Sequence, residues 1–448
     1  GSNMSKKDLT QGSVTASLAK LTAPMVMGVS SSILVQTLEM GFIGQLSTQH
    51  LAAVTFTFPL VMILTSIALG ISIGTSSVIA RSVGGGQDSE VRRLGTHSLI
   101  LVAAIMLILS GVAWVLINPI FTAMGASPEA IALIHSYLDI YLPGTVLFTL
   151  TMIASSIMRA SGNANIPGIV MTVGALFNLL LDPFLIFGWL FFPRMELAGA
   201  ATAMTITRVF TCAVLFYYVY TGNMMQLHQW WQGFIKSAKR IMHVGIPAMA
   251  TQLIGPVTAA MITGLLAQHG ETVVAGFGVA GRIEAVAVMI LFALSGSIGP
   301  FVGQNWGAKQ FARVRDGVNV SYRFCIVWGF FAAIPLFFFG PSIVALIDDA
   351  PTVIGVAAFY LAVVPWSYSM WGVLMMASAS FNALGKPLPS TALSFMRMFV
   401  IYLPLALLLN DAMGYEGIFI ATLISNILLG IAAWLWFRLR LLEMSGKA

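Results

Sequence analysis

The sequence predicts an all-α membrane protein with twelve transmembrane helices in two pseudo-symmetric six-helix lobes. Of its 448 residues, 58% are hydrophobic and only 8% charged, whereas a soluble domain carries about 25% charged residues. Long apolar stretches recur twelve times, and positions 223 residues apart repeat the same punctuation residues. A spanning helix takes about 20 apolar residues, so twelve spans leave only short loops and no room for a fused nucleotidase, kinase or receptor module. Residues Gly1 to Asn3, ahead of Met4, read as an expression scar.

The stretches fall at about 16–42, 51–79, 95–118, 128–157, 165–191, 197–221, 241–267, 272–302, 318–342, 351–380, 388–410 and 416–437. They divide the chain into an amino-terminal lobe (1–221), an interlobe cytoplasmic linker (222–240) and a carboxy-terminal lobe (241–448). Trp230, Trp231, Lys236 and Lys239 give the linker the aromatic and basic mix of a helix lying in the membrane interface.

Assigning the 22 Lys and Arg to alternate sides puts sixteen on the side of both termini and only Arg194 opposite. The other five, Lys20, Arg208, Arg282, Arg323 and Arg397, fall within or at the edge of spans. Basic residues in short loops mark the cytoplasmic side, so both termini are expected there. The net charge of +6 therefore describes topology, and nucleic acid is not an expected partner. Cys212 and Cys325 lie in different spans and read as small packing residues. The six histidines show no metal-ligand spacing.

Pro24 repeats as Pro247, Gly84 as Gly307, Arg92 as Arg315, Pro128 as Pro351 and Gly162 as Gly385. Most of these are Pro and Gly, whose positions have backbone reasons. Six is an even number, so the second lobe enters the membrane from the same side as the first. Parallel repeats of this kind flank a central cavity in several secondary transporters.

Four acidic residues fall inside spans: Glu39, Asp139, Asp182 and Glu284. A charge at the membrane centre costs at least about 2.5–3.5 kcal/mol, which makes such residues functional candidates. Asn178 and Asp182 are spaced i, i+4 and share one helix face. Asp182 sits in the outer half of span five, and Glu39 near the outer end of span one reaches the same level. With a hydroxyl from Thr202 or Thr205 of span six, they make a polar pocket in the first lobe. Two nearby carboxylates do not both ionise cheaply, so one of them is a proton carrier. The same oxygens at Glu39, Asn178 and Asp182 suit Na⁺, and the residues alone do not choose between the two ions. The bland readings are a helix–helix hydrogen bond for Asn178 and Asp182, an interfacial carboxylate for Glu39 and a rim charge for Asp139. Glu284 follows Arg282 by two residues, a spacing that does not share a face, so an ion pair with another helix is its plain reading. Both acids stand as second-tier coupling candidates. The repeat partner of Glu39 is Ile262, so the carboxylate chemistry is concentrated in the first lobe.

Pro24 removes a helical hydrogen bond inside span one and marks a candidate conformational kink. Met27, Met152, Met171, Met261 and Met289 are candidates for a soft, adaptable substrate-cavity lining, although most methionines in such a chain face lipid or pack between helices.

Residues 74–86, Gly-Thr-Ser-Ser-Val-Ile-Ala-Arg-Ser-Val-Gly-Gly-Gly, and residues 303–309, Gly-Gln-Asn-Trp-Gly-Ala-Lys, occupy matching places in the two lobes. Together with Ser161-Gly162-Asn163, Pro167, Ala383-Leu384-Gly385-Lys386 and Arg282-Ile283-Glu284, they resemble the signature elements of multidrug and toxic compound extrusion (MATE) transporters. The resemblance covers essentially the whole chain. The Gly-x-x-x-Asp-Arg-x-Gly-Arg-like loop of the major facilitator superfamily is missing between spans two and three.

The resemblance implies a V-shaped pair of lobes and export of diverse, often cationic, amphipathic compounds, driven by a proton or sodium gradient with no other cofactor. It is to the DinF-like branch, and it implies a coupling site at Glu39, Asn178 and Asp182 with Tyr137 of span four. That branch usually has Asp in span one. Glu at position 39 moves the carboxylate by about 1.5 Å, one C–C bond. The branch's span-six Thr falls near Met204, so the match at Thr202 is loose. The expectation is a monomeric, proton-coupled antiporter of the bacterial inner membrane. Its rivals are a sodium-coupled drug antiporter and a lipid-linked precursor flippase. No His/Asp/Ser constellation supports an enzyme.

Overall fold

The computed structural model describes residues 8–445. Lys6, Lys7 and Lys447, counted above with the cytoplasmic set, lie outside them. The regular structure of the described residues is entirely helical. Eleven helices are long and apolar enough to cross a membrane, and one bent pair makes a twelfth span.

The first six spans are α1 (Val14–Leu46), α2 (Thr48–Gly84), α3 (Asp88–Val115), α4 (Pro128–Ala160), α5 (Asn165–Phe187) and α6 (Leu197–Thr221). Their ends follow local chemistry. Ser47 caps α2 by accepting the His50 N–H at 3.1 Å, and Ser127 caps α4 by accepting the Ala130 N–H at 3.2 Å. Pro128 then opens α4, where a missing N–H costs nothing. Gly188 ends α5 in the left-handed region, with φ 71°.

The second half begins with α7 (Phe234–Ala267). Span eight is α8 (Glu271–Ala287) followed by α9 (Met289–Gly307), and span nine is α10 (Phe311–Ala345). Span ten comprises α11 (Pro351–Val363), a 3₁₀ turn and α12 (Tyr368–Ala383). Span eleven is α13 (Pro387–Phe395), a π-helical stretch Met396–Tyr402 and α14 (Leu403–Met413). Span twelve is α15 (Tyr415–Ser445).

Three departures from the expected elements have visible causes. Span eight bends by 47° between α8 and α9. At the break the Trp328 indole N–H donates to the Ala287 carbonyl at 2.7 Å, an outside donor engaging the helix ladder. In span eleven Pro404 has no N–H to return to Val400, and the turn before it widens into the π stretch. The linker over 222–240 is not the interfacial helix that the sequence predicts. Residues 222–233 are turns and irregular chain, with Asn223, Gln229 and Gly233 at positive φ, and helix resumes at Phe234. Buried His97 of α3 ties this segment down, placing Nε2 2.8 Å from the Trp230 carbonyl and Nδ1 2.7 Å from the Ser237 hydroxyl.

The repeat is visible in the backbone hydrogen bonds. The turn after α2 closes with Gly85 to Arg81, Gly86 to Val83 and Gln87 to Ser82. The turn after α9 closes with Ala308 to Gln304, Lys309 to Trp306 and Gln310 to Asn305. The turns at Gly162 and Gly385 likewise share their pattern, and both glycines sit at positive φ, 98° and 76°. Only glycine takes that region freely, so the repeat kept it there.

The chain forms two compact units. The first holds Ala19–Met249 and the second holds Thr10–Leu18 with Ala250–Ala448, so the first turns of α7 belong with the first unit. The core of the first unit includes Ile71, Ile79, Leu94, Met106, Phe121, Leu142 and Ile157, all fully buried. In lipid, helices associate through close backbone approach at small residues. A Cβ on Gly168 of α5 would stand 2.5 Å from the Pro24 carbonyl of α1, and one on Gly144 of α4 would stand 2.7 Å from the Thr205 hydroxyl of α6. These contacts draw α1, α4, α5 and α6 together. Cys212 and Cys325 are buried free thiols.

Candidate cation-coupling site

Close approach of α1 to α5 carries the acids of spans one and five to one place. Glu39 is 7% exposed, Asn178 8% and Asp182 0%. The Asn178 amide donates from Nδ2 to Glu39 Oε2 at 3.1 Å. The Asp182 carboxyl stands within interaction range of the Glu39 carboxyl. Among the described residues, neither Asp182 oxygen meets a donor in hydrogen-bonding geometry, nor does Asn178 Oδ1. These three buried acceptors beside the Glu39 carboxyl form a site with surplus acceptors. A buried acceptor without a donor costs about 1–3 kcal/mol, and a proton or a small cation held between the groups removes that cost.

The remaining candidates divide. Tyr137 is buried and within electrostatic reach of both carboxyls, while its hydroxyl lies 3.9 Å from Met204 Sδ. Met204 of α6 thus stands beside Tyr137. Thr202 turns its hydroxyl back to Ala198 of its own helix at 2.7 Å, and Thr205 does the same to Ala201. Asp139 stands apart on an exposed rim, where the Trp114 indole donates to it at 2.9 Å and His135 lies 3.1 Å away.

In the second unit, Glu284 Oε2 accepts the Tyr360 hydroxyl at 2.7 Å and the Tyr368 hydroxyl at 3.0 Å. Arg397 acts on it electrostatically and donates to Asn426 Oδ1 at 3.0 Å. Asn426 in turn donates to the Ser367 hydroxyl at 3.1 Å. The two tyrosines, Arg397 and Asn426 were not legible from spacing, because they come from four separate helical segments. Intramembrane Arg397 was the available signal.

Pro24 lies half-buried inside α1, against Gly168. Among the methionines, Met152 packs on the core of the first unit. Met171 lies between α1 and α5, where a Cβ on Gly28 would meet its sulfur at 2.9 Å. Met27 is exposed, and Met261 and Met289 are half-buried. An apolar hollow at Thr48, Leu51, Thr55, Phe56 and Met124 holds none of these five methionines.

Comparison with known proteins agrees with this architecture. The family description MatE matches residues 24–184 and again 247–408, blocks that open on the repeat pair Pro24 and Pro247. The FAD transporter of Shewanella oneidensis is 31% identical over 426 residues, 93% of each chain. The multidrug export protein MepA of Staphylococcus aureus is 26% identical over 433 residues, 94% of this chain and 93% of that one. The crystal structure of the Vibrio cholerae MATE transporter VcmN in its bent form superposes with a TM-score of 0.92 at 29% identity, covering 97% of this chain and 98% of that one. A two-block family match over residues 24–184 and 247–408 of a chain rich in apolar spans identifies it as a multi-pass membrane protein of the MATE family, whose members are multidrug-type transporters and not enzymes.

Proposed function

We propose that this transporter is a proton-coupled secondary antiporter of the DinF-like branch, exporting amphipathic cationic compounds from the cytoplasm of a bacterium. It works as a monomer in the inner membrane with both termini cytoplasmic, the orientation favoured by the sixteen-to-one bias of basic residues. The carrying observation is the surplus of buried acceptors at Asp182 and Asn178 beside Glu39. Protons entering from outside occupy this pair, change the contacts of α1 with α5 and displace the cargo outward. Bending of α1 at Pro24 is the motion that carries this change.

The test uses inverted membrane vesicles with ethidium as cargo. A pH gradient without sodium drives ethidium into the lumen, and a sodium gradient at fixed pH does not. Uptake driven by sodium alone assigns the same oxygens to Na⁺. A second reading of the cargo comes from the Shewanella oneidensis relative, whose name specifies FAD. A basic side chain near the pocket, Arg208, favours it. FAD offered beside ethidium in the same vesicles separates the two, since an aromatic anion and an aromatic cation do not share a charge requirement.

A further inference from the structure

Arg208 has no part in the coupling scheme above. It sits on α6, and its guanidinium carbon lies 5.0 Å from the ring centroid of Tyr141 and 4.7 Å from that of Phe148, both on α4. Tyr141 stacks at 5.2 Å on Tyr137. Nη1 of Arg208 is buried and has no hydrogen-bond partner among the described residues. A ring face holds a guanidinium without neutralising it. That charge is felt at Glu39 and at Tyr137. Residues flanking Arg208 pack on α5, where a Cβ on Gly174 would meet Thr211 Cγ2 at 2.7 Å and Thr207 Cγ2 at 3.5 Å, so the ionisable groups gathered around the pocket are Glu39 from α1, Tyr137 and Tyr141 from α4, Asp182 from α5 and Arg208 from α6.

We propose that Arg208 sets the ion count of the coupling pocket. Two carboxylates against one guanidinium leave a single net negative charge, so one monovalent cation neutralises the pocket in each cycle. A second cation would leave an uncompensated positive charge in a low-dielectric site, where such a charge is strongly disfavoured. The count holds for H⁺ or Na⁺ alike, and it rests on the reading of Glu39 and Asp182 as the coupling pair.

The experiment measures charge displaced per transporter when purified protein in lipid vesicles on a solid-supported membrane meets an acid jump, with a sodium jump at constant pH run in parallel. Arg208→Gln displaces about twice the wild-type charge, while Arg208→Lys restores the wild-type value. Asp182→Asn, in which Glu39 and Arg208 cancel, falls to background, and Asp182→Asn/Arg208→Gln regains the wild-type signal. Recovery by removing a second charge is not expected of a residue that serves packing alone. Where Arg208→Gln does not fold, Glu39→Gln carries the test, because Asp182 and Arg208 then cancel and the signal is lost. A wild-type signal in Arg208→Gln or in Glu39→Gln overturns the proposal, as does a silent double variant. If Asp182→Asn alone displaces the full wild-type charge, the coupling pair itself is refuted. If that variant is silent and Arg208→Gln matches wild type, only the ion count fails.

Discussion

Asn178 Nδ2 donates to Glu39 Oε2 at 3.1 Å, so an amide on α5 fixes a carboxylate on α1. The bond joins two helices and sits beside Asp182, which is one turn along the same face of α5. Removing the amide in Asn178→Ala strands a buried carboxyl oxygen. The expected cost is about 1.5–3 kcal/mol, the range for a hydrogen bond to a charged group. Thermal unfolding of the purified variant and ethidium efflux both fall, and unaltered values for both would remove Asn178 from the site.

The contact of Gly168 with Pro24 limits how α1 meets α5. A methyl group at 168 would stand 2.5 Å from the Pro24 carbonyl and 2.6 Å from its Cβ, neither of which yields easily. Gly168→Ala therefore forces the helices apart, with an expected loss of about 1–3 kcal/mol and slower efflux. If α1 bends at Pro24 during the cycle, structures determined at low and high pH differ in this helix. Identical α1 geometry in the two would refute the bending.

Glu284 accepts from both Tyr360 and Tyr368 and lies in the field of Arg397. A double-mutant cycle of Glu284→Gln with Arg397→Met is expected to show a coupling of about 0.5–3 kcal/mol in stability, because each single variant leaves a charge without its counterpart. Additive stability losses would show that the two residues act separately. With coupling confined to the first unit, the acid-jump signal of Glu284→Gln matches wild type.

Lys309 has φ 59° at the place where its repeat partner Gly86 has φ 71°. A side chain in that region costs about 1–2 kcal/mol. Lys309→Gly is expected to raise the unfolding temperature of the protein, and a fall would show that the lysine side chain stabilises the turn by more than the strain.

Much of this was legible in sequence, for physical reasons. The offset linking Pro24 to Pro247 and Gly162 to Gly385 marks turns whose backbone needs those residue types, so the two-fold plan could be read from single positions. Asn178 and Asp182 share a face by helical period alone, and their cost in lipid marks them. Arg208 was visible as an intramembrane cation, yet its neighbours Tyr141 and Phe148 lie on another helix, and periodicity carries no information across helices. The bend before Met289 was hidden for the same reason, since its outside donor, Trp328, comes from α10. The linker misled because its aromatic and basic composition suits an interfacial helix, while buried His97 holds the segment in turns.

The coupling pair is tested by ethidium efflux from cells expressing Asp182→Asn at wild-type abundance in the membrane. Asn keeps the size of the side chain and removes the charge, so gradient-driven efflux should vanish while the protein still folds. Efflux at the wild-type rate would contradict the assignment of Asp182 and Glu39 as the groups that take up the driving ion.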